Sequence, residues 1–176
     1  MELIRVWNAD DADDPEQFFK IPIDVIIHDN LFYIVDYGQH AIQVFNLSGK
    51  YIKTIGRKGQ GPGDLLNPLS LDFDQQNNML VAESMNKRVQ IMSSDWTYIS
   101  SFKIKHGYPS FVASWARNEV AVYSVAMSAE NKTVLALYNQ EGQFLRFLGD
   151  RLFIIDSYRE KKIYEYKYRL STGTFE

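Results

Sequence analysis

Short apolar runs, rich in β-branched and aromatic side chains, recur along the whole chain and are separated by polar turn residues. The first set of four runs covers 22–28, 31–36, 41–45 and 51–55. Asp29 and Asn30 separate the first two runs, and Asn tolerates the positive φ that two-residue hairpins need. Runs this short predict strands rather than helices. The pattern therefore predicts a four-stranded antiparallel sheet.

The same set of runs repeats along the chain. The second copy has runs at 69–73, 79–83, 88–92 and 96–102, and the third at 110–115, 119–124, 133–139 and 143–148. Asp36 corresponds to Glu83, 47 positions later, and Asp156 holds the same place in a fourth copy that begins at residue 151. Several short strands per unit and a period in the forties predict the blades of a β-propeller.

Composition argues against nucleic-acid binding, cysteine chemistry and a membrane span. The chain has 176 residues, of which 45% are hydrophobic. Its net charge is −3, and its cations are scattered rather than clustered. Both features disfavour nucleic acid as a partner. It has no cysteine, so disulfides and cysteine-based zinc sites are excluded. No apolar run reaches about 18 residues, and we expect no membrane span.

Residues 56–68, GRKGQGPGDLLNP, concentrate glycine, proline and cations. They suggest a phosphate-binding loop, a flexible linker or a turn that the fold requires. A phosphate loop ends in Gly-Lys-Ser or Gly-Lys-Thr and leads into a helix. Here Lys58 precedes Gly59-Gln60, and a predicted strand follows. We therefore interpret the segment as the crossover from the outer strand of one blade to the inner strand of the next.

The stretch GRKGQGPGDLLNPLSLDFD, followed by MLVAESMNKRVQIM, resembles the NHL-type six-bladed β-propeller family, especially its bacterial members. The matching positions are Gly56, Gly59, Gly61, Pro62, Gly63, Pro68, Glu83 and 86–89, with Pro15, Gln17, Phe18, Pro22, Asp36 and 42–45 in the first blade. The resemblance implies an all-β propeller of four-stranded blades, of which this chain holds about three and a half. We expect blades at about 21–56, 68–103 and 109–149, a partial blade at 151–176, and the outer strand of a preceding blade at 2–7.

The chain departs from the repeat in two places. Ser124 stands where Asp36 and Glu83 stand in the other blades, and only Asp150 separates the third copy from the fourth. An inner strand and its crossover are therefore missing at 150–151. Three explanations stay open. The chain is a part of a larger protein, two chains together complete one ring, or the chain forms a small irregular propeller. We favour the first. Open blades leave strand edges unpaired, so we also expect self-association.

Candidate chemistry is sparse. His28, His40 and His106 occupy different blade positions, so they do not predict a shared metal site. The regular recurrence of Asp36 and Glu83 favours hydrogen bonding to each residue's own bend, with Ca²⁺ as the alternative. We predict no cofactor, no metal site and no catalytic residue. The ligand-binding candidates are His106, Tyr108, Arg57, Lys58 and Trp115.

These observations favour a non-catalytic binding scaffold whose loops receive a protein, peptide or glycan partner. The family resemblance implies a place in the bacterial cell envelope, either periplasmic or extracellular. The alternative function is a metal-dependent propeller hydrolase or lyase with a site in the central channel. That alternative requires at least three histidine or carboxylate side chains that converge on one channel face.

Overall fold

A computed structural model describes residues 19–105, 107–116, 118–125 and 133–147, together with two short strands near the C-terminus. Every regular element in these residues is a strand, and the first twelve strands form three antiparallel four-stranded sheets. The prediction of an all-β protein built from such sheets is confirmed. The predicted strand at 2–7, the junction at 150–151 and most of the predicted partial blade lie outside the described residues.

Three sheets follow one another, each with its strands in sequence order. The first contains β1 (Pro22–His28), β2 (Leu31–Asp36), β3 (Ala41–Asn46) and β4 (Tyr51–Ile55). The second contains β5 (Pro68–Phe73), β6 (Met79–Glu83), β7 (Arg88–Met92) and β8 (Tyr98–Lys103). The third contains β9 (Tyr108–Ala116), β10 (Glu119–Val125), β11 (Thr133–Asn139) and β12 (Phe144–Phe147). The remaining pair is β13 (Tyr168–Arg169) and β14 (Thr174–Phe175).

The first two sheets share details of register. Asp29 and Asn30 both have positive φ, 47° and 61°, as a two-residue hairpin of this twist requires. In the first sheet Pro22 lies opposite Asp36, and the register shifts before Asp24. The second sheet repeats this irregularity, with Pro68 opposite Glu83 and a shift before Ser70. Equivalent sequence positions therefore adopt equivalent backbone shapes.

Successive sheets pack face to face through their inner strands, β5 against β1 and β9 against β5. The strand β6 shows why the run MLVAE is continuously apolar. Met79 and Val81 belong to the hydrophobic cluster shared with the first sheet, whereas Leu80 and Ala82 belong to the cluster shared with the third. Both faces of β6 are buried, and full burial of each large side chain stabilises the fold by about 1.5–3 kcal/mol.

Trp96 is the clearest difference from the strand pattern. The sequence predicted a strand beginning at Trp96, but β8 begins at Tyr98, and Trp96 lies in the preceding turn with a φ of 68°. Gly49 and Gly142 hold the equivalent turn positions of the other sheets and also have positive φ. Trp96 adopts this conformation while its ring lies under Lys53, whose Nζ is 5.0 Å from the ring centroid. Contact with the neighbouring sheet thus overrides the β propensity of tryptophan.

Candidate binding face

Consecutive strands run in opposite directions, so the loops that connect them alternate between the two ends of each sheet. One end carries the bends within the sheets and the crossovers between them, at 19–21, 37–40, 56–67, 84–87, 104–105 and 107. We name this end the crossover face. The opposite end carries the hairpin turns at 29–30, 47–50, 74–78, 93–97, 118 and 140–143, and we name it the turn face.

Glu83 fixes the loops of the crossover face through hydrogen bonds of its buried carboxylate. Its carboxylate is fully buried at the end of β6. Oε1 accepts hydrogen bonds from Arg88 Nε at 2.5 Å and from Gln90 Nε2 at 2.7 Å. Oε2 accepts from the backbone N–H of Leu66 at 2.8 Å and from Asn86 Nδ2 at 2.7 Å. A buried carboxylate is stable only when it is paired and hydrogen-bonded, and these contacts meet that requirement.

Arg88 and Gln90 extend this buried network into the crossover 56–67. Arg88 donates to the carbonyl oxygens of Gln60, Gly61 and Asp64 at 2.9, 3.0 and 2.8 Å. Gln90 donates to the Asp64 carbonyl at 2.7 Å and accepts from the Gly63 N–H at 3.0 Å. The loop backbone, including Gly63 with its φ of 76°, is therefore fixed by side chains of the sheet beneath it. The geometry agrees with the interpretation of this segment as a crossover that the fold requires.

Asp36 performs the same task in the first sheet with fewer partners. Its carboxylate accepts hydrogen bonds from the N–H groups of Lys20, Ile21 and Gln39 at 2.7, 3.0 and 3.0 Å. It therefore ties its own bend to the chain that precedes β1. In the third sheet Ser124 is buried at the corresponding place. Within the described residues, no three His, Asp or Glu side chains gather closely enough to hold a metal ion.

His40 lies in the bend between β2 and β3, and its hydrogen bonding defines its tautomer. Nδ1 of His40 accepts a hydrogen bond from the Asn67 N–H at 3.1 Å, so the neutral ring carries its proton on Nε2. Asn67 Nδ2 also donates to the Tyr37 hydroxyl at 2.8 Å. Burial, together with the positive charge of Lys58, lowers the pKa of His40; Lys20 acts in the same direction and Asp36 opposes them. A neutral His40 therefore joins the first bend to the crossover.

The structure places three of the predicted ligand-binding residues on the crossover face. Arg57 is 85% exposed at its side chain and pairs with Asp64 at 2.9 Å. This hydrogen bond raises the pKa of Arg57 and lowers that of Asp64. Lys58 is exposed, and its backbone forms an isolated β-bridge with Leu65. Tyr108 begins β9, and its ring lies 4.2 Å from the ammonium of Lys87.

Trp115 and His106 do not join this group in the structure. Trp115 is 57% exposed and follows Tyr108 by seven residues on β9, a distance of about 23 Å along an extended strand. It therefore lies toward the turn face. His106 falls outside the described residues. Sequence reasoning did not select His40, Lys87 or Asn67 as site residues, although His40 and Lys87 each lie four positions after a recurring acid.

Comparison with known proteins agrees with this architecture. A family described as 6-bladed beta-propeller matches residues 16–132 of the chain. Protein lin-41 of Caenorhabditis elegans is 41% identical over 49 residues, which cover 28% of this chain and 4% of that protein. No helix in the described residues is long and apolar enough to cross a membrane.

Two crystal structures show the same fold at low identity. A candidate exported protein from Bacteroides fragilis has a TM-score of 0.62 and 17% identity, covering 73% of this chain and 37% of that one. A protein of unknown function from Bacteroides caccae has a TM-score of 0.52 and 15% identity, covering 72% and 45%. The chain thus spans less than half the length of these relatives. Because the family match extends over most of its residues, the chain belongs to the 6-bladed beta-propeller family.

Proposed function

We propose that this chain is a non-catalytic binding scaffold that receives a protein, peptide or glycan partner on its crossover face. The observation that carries the proposal is the buried network of Glu83, Arg88 and Gln90, which holds the crossover 56–67 in one conformation. Binding to a loop that is already ordered avoids much of the entropy that a mobile loop would lose. The propeller fold itself suits such a role, since rigid blades support loops at their ends.

The exposed groups of this face suit binding rather than catalysis. Arg57, Lys58, Lys87 and Met85 are exposed on loops whose backbone is fixed from below. The alternative function, a metal-dependent hydrolase or lyase, requires several converging histidines or carboxylates. Among the described residues Asp36 and Glu83 are instead occupied by hydrogen bonds to backbone and side-chain donors. The geometry therefore gives the binding function more support.

We also propose that the protein works in the bacterial cell envelope, in the periplasm or outside the cell. The support is the family resemblance and the description of the structural relative from Bacteroides fragilis as a candidate exported protein. Separation of host cells into cytoplasmic, periplasmic, membrane and medium fractions, followed by immunodetection, tests this location. Recovery of the protein in the cytoplasmic fraction alone would refute it.

Site-directed crosslinking tests the proposed binding face. Since the chain has no native cysteine, one introduced cysteine can carry a benzophenone label at a single place. Met85→Cys places the label on the crossover face, where Met85 is 58% exposed, and Ser94→Cys places it on the exposed turn between β7 and β8. In an extract of the host, we expect a discrete crosslinked product from the first variant and none from the second. Equal labelling by both variants, or a product from Ser94→Cys alone, would contradict the proposal.

A further inference from the structure

Charged residues are distributed unequally between the two ends of the strands. The described loops of the crossover face carry five exposed cations, Lys20, Arg57, Lys58, Lys87 and Lys105, and one acid, Asp64. The described loops of the turn face carry four acids, Asp29, Asp74, Asp95 and Glu141, and one cation, Lys50. The described loops therefore carry a net charge of +4 on the crossover face and −3 on the turn face.

Among the described residues, internal ion pairs engage only part of the positive charge on the crossover face. Asp64 is engaged by Arg57 at 2.9 Å. In the part of the chain that the structure describes, Asp36 and Glu83 also lie at this end, and both are fully buried and hydrogen-bonded. The four lysines of this face are exposed. Their charge favours the approach of an anionic ligand and raises its association rate.

The face also carries apolar and aromatic groups, and their arrangement favours an acidic peptide over a single-stranded nucleic acid as the ligand. Met85 is exposed in the bend between β6 and β7, and methionine adapts to varied apolar side chains. The ring of Tyr108 has the ammonium of Lys87 over it. Single-stranded nucleic acids bind largely by stacking on open aromatic faces, and the Tyr108 ring does not offer one on that side. An acidic peptide needs cations and a small apolar contact, and both are present.

We infer that the ligand of the crossover face is an acidic peptide segment of a partner protein, with carboxylates facing Lys20 and Lys58 and an apolar side chain against Met85. This inference rests on the proposed function, because it names the partner chemistry of the same face.

The experiment measures fluorescence anisotropy of a labelled peptide of glutamates and leucines, titrated with the intact chain. We expect binding that weakens as salt increases, because exposed charges are screened. Lys58→Glu should weaken binding several-fold, and Lys20→Glu with Lys58→Glu by roughly tenfold or more. Lys50→Glu makes the same charge change on the turn face and should leave the affinity nearly unchanged. Thermal denaturation of each variant verifies that it is folded.

The outcomes separate the inference from its alternatives. Equal weakening by Lys58→Glu and Lys50→Glu would show an effect of net charge and overturn the inference. Binding of a uridine-rich RNA or a polygalacturonate in preference to the peptide would also overturn it, in favour of nucleic acid or an acidic glycan. A positive crosslink at Met85→Cys without peptide binding would refute the acidic-peptide inference and leave the proposed function standing. Absence of both would refute both.

Discussion

At the scale of single residues, Glu83 is the side chain on which the crossover face depends most. Its fully buried carboxylate accepts hydrogen bonds from Arg88, Gln90, Asn86 and the backbone of Leu66. Loss of the charge would leave the Arg88 guanidinium buried without its carboxylate partner, which typically costs several kcal/mol. The recurring acids are therefore structural in the two sheets where they are described.

Glu83→Gln tests this role. We expect the free energy of unfolding to fall by about 3 kcal/mol or more, because the amide cannot accept from all four donors. Glu119→Gln is a matched control, since Glu119 forms a partly exposed pair with Arg146 at 3.8 Å. It should cost less than about 1 kcal/mol. Urea denaturation measures both variants, and an unchanged midpoint for Glu83→Gln would contradict the structural role.

His40 makes stability depend on pH. Its folded-state pKa is lowered, by burial first and then by Lys58, so the unfolded chain binds this proton more readily. The contribution is fully present above the unfolded pKa of about 6.5 and is lost as pH falls through the lower folded value. Protonation of Nδ1 would also remove the acceptor of the Asn67 N–H. Folding stability measured from pH 8 to 5 should decline less in His40→Asn than in the wild type. An identical decline would contradict this assignment.

At the scale of elements, local pattern predicted the strands but not the contacts that fix the loops between them. Apolar periodicity and the Asp29-Asn30 turn specify the sheets through near neighbours. The partners of Glu83 and Arg88 in the crossover 56–67 lie 17 to 28 residues earlier in the chain, and His40 contacts Asn67 across 27 residues. No local pattern reports such pairings. Trp96 was misplaced for the same reason, since its turn conformation accompanies contacts with the adjacent sheet.

The turn between β11 and β12 contains a glycine that the packing of neighbouring sheets requires. Gly142 has a φ of 79°, and a Cβ there would collide with the Phe102 side chain. Gly63 has a φ of 76° but open space around the same position. Gly63→Ala should cost about 1–2 kcal/mol of stability, the strain of the left-handed conformation alone. We expect Gly142→Ala to cost more, because Phe102 must also move. Equal losses in thermal denaturation would show that Phe102 adjusts freely.

At the scale of the whole molecule, both ends of the array of three sheets expose apolar faces. Ile23, Val25 and Ile27 are exposed on β1, and Phe111 and Trp115 on β9. In the interior of the array, inner strands pack against one another, as β5 does against β1 and β9. Exposed sheet faces of this kind favour association. We therefore propose that the 176-residue chain associates with further copies through these faces.

Val25→Glu tests this association, because Val25 is 58% exposed at the centre of β1. Analytical ultracentrifugation over a range of concentrations should show oligomers of the wild type and a shift toward monomer in the variant. Ser94→Glu adds the same charge on the turn face and should behave like the wild type. A wild-type chain that stays monomeric throughout, or equal effects of both variants, would contradict the proposal.

The central claim is that the crossover face, held by the Glu83 network, is where a partner binds. Amide hydrogen exchange of the intact chain, with and without the partner identified by crosslinking, tests it most directly. We predict slower exchange in the partner complex at 37–40, 56–67 and 84–87, and unchanged exchange in the turns at 74–78 and 93–97. Protection confined to those turns would contradict the account.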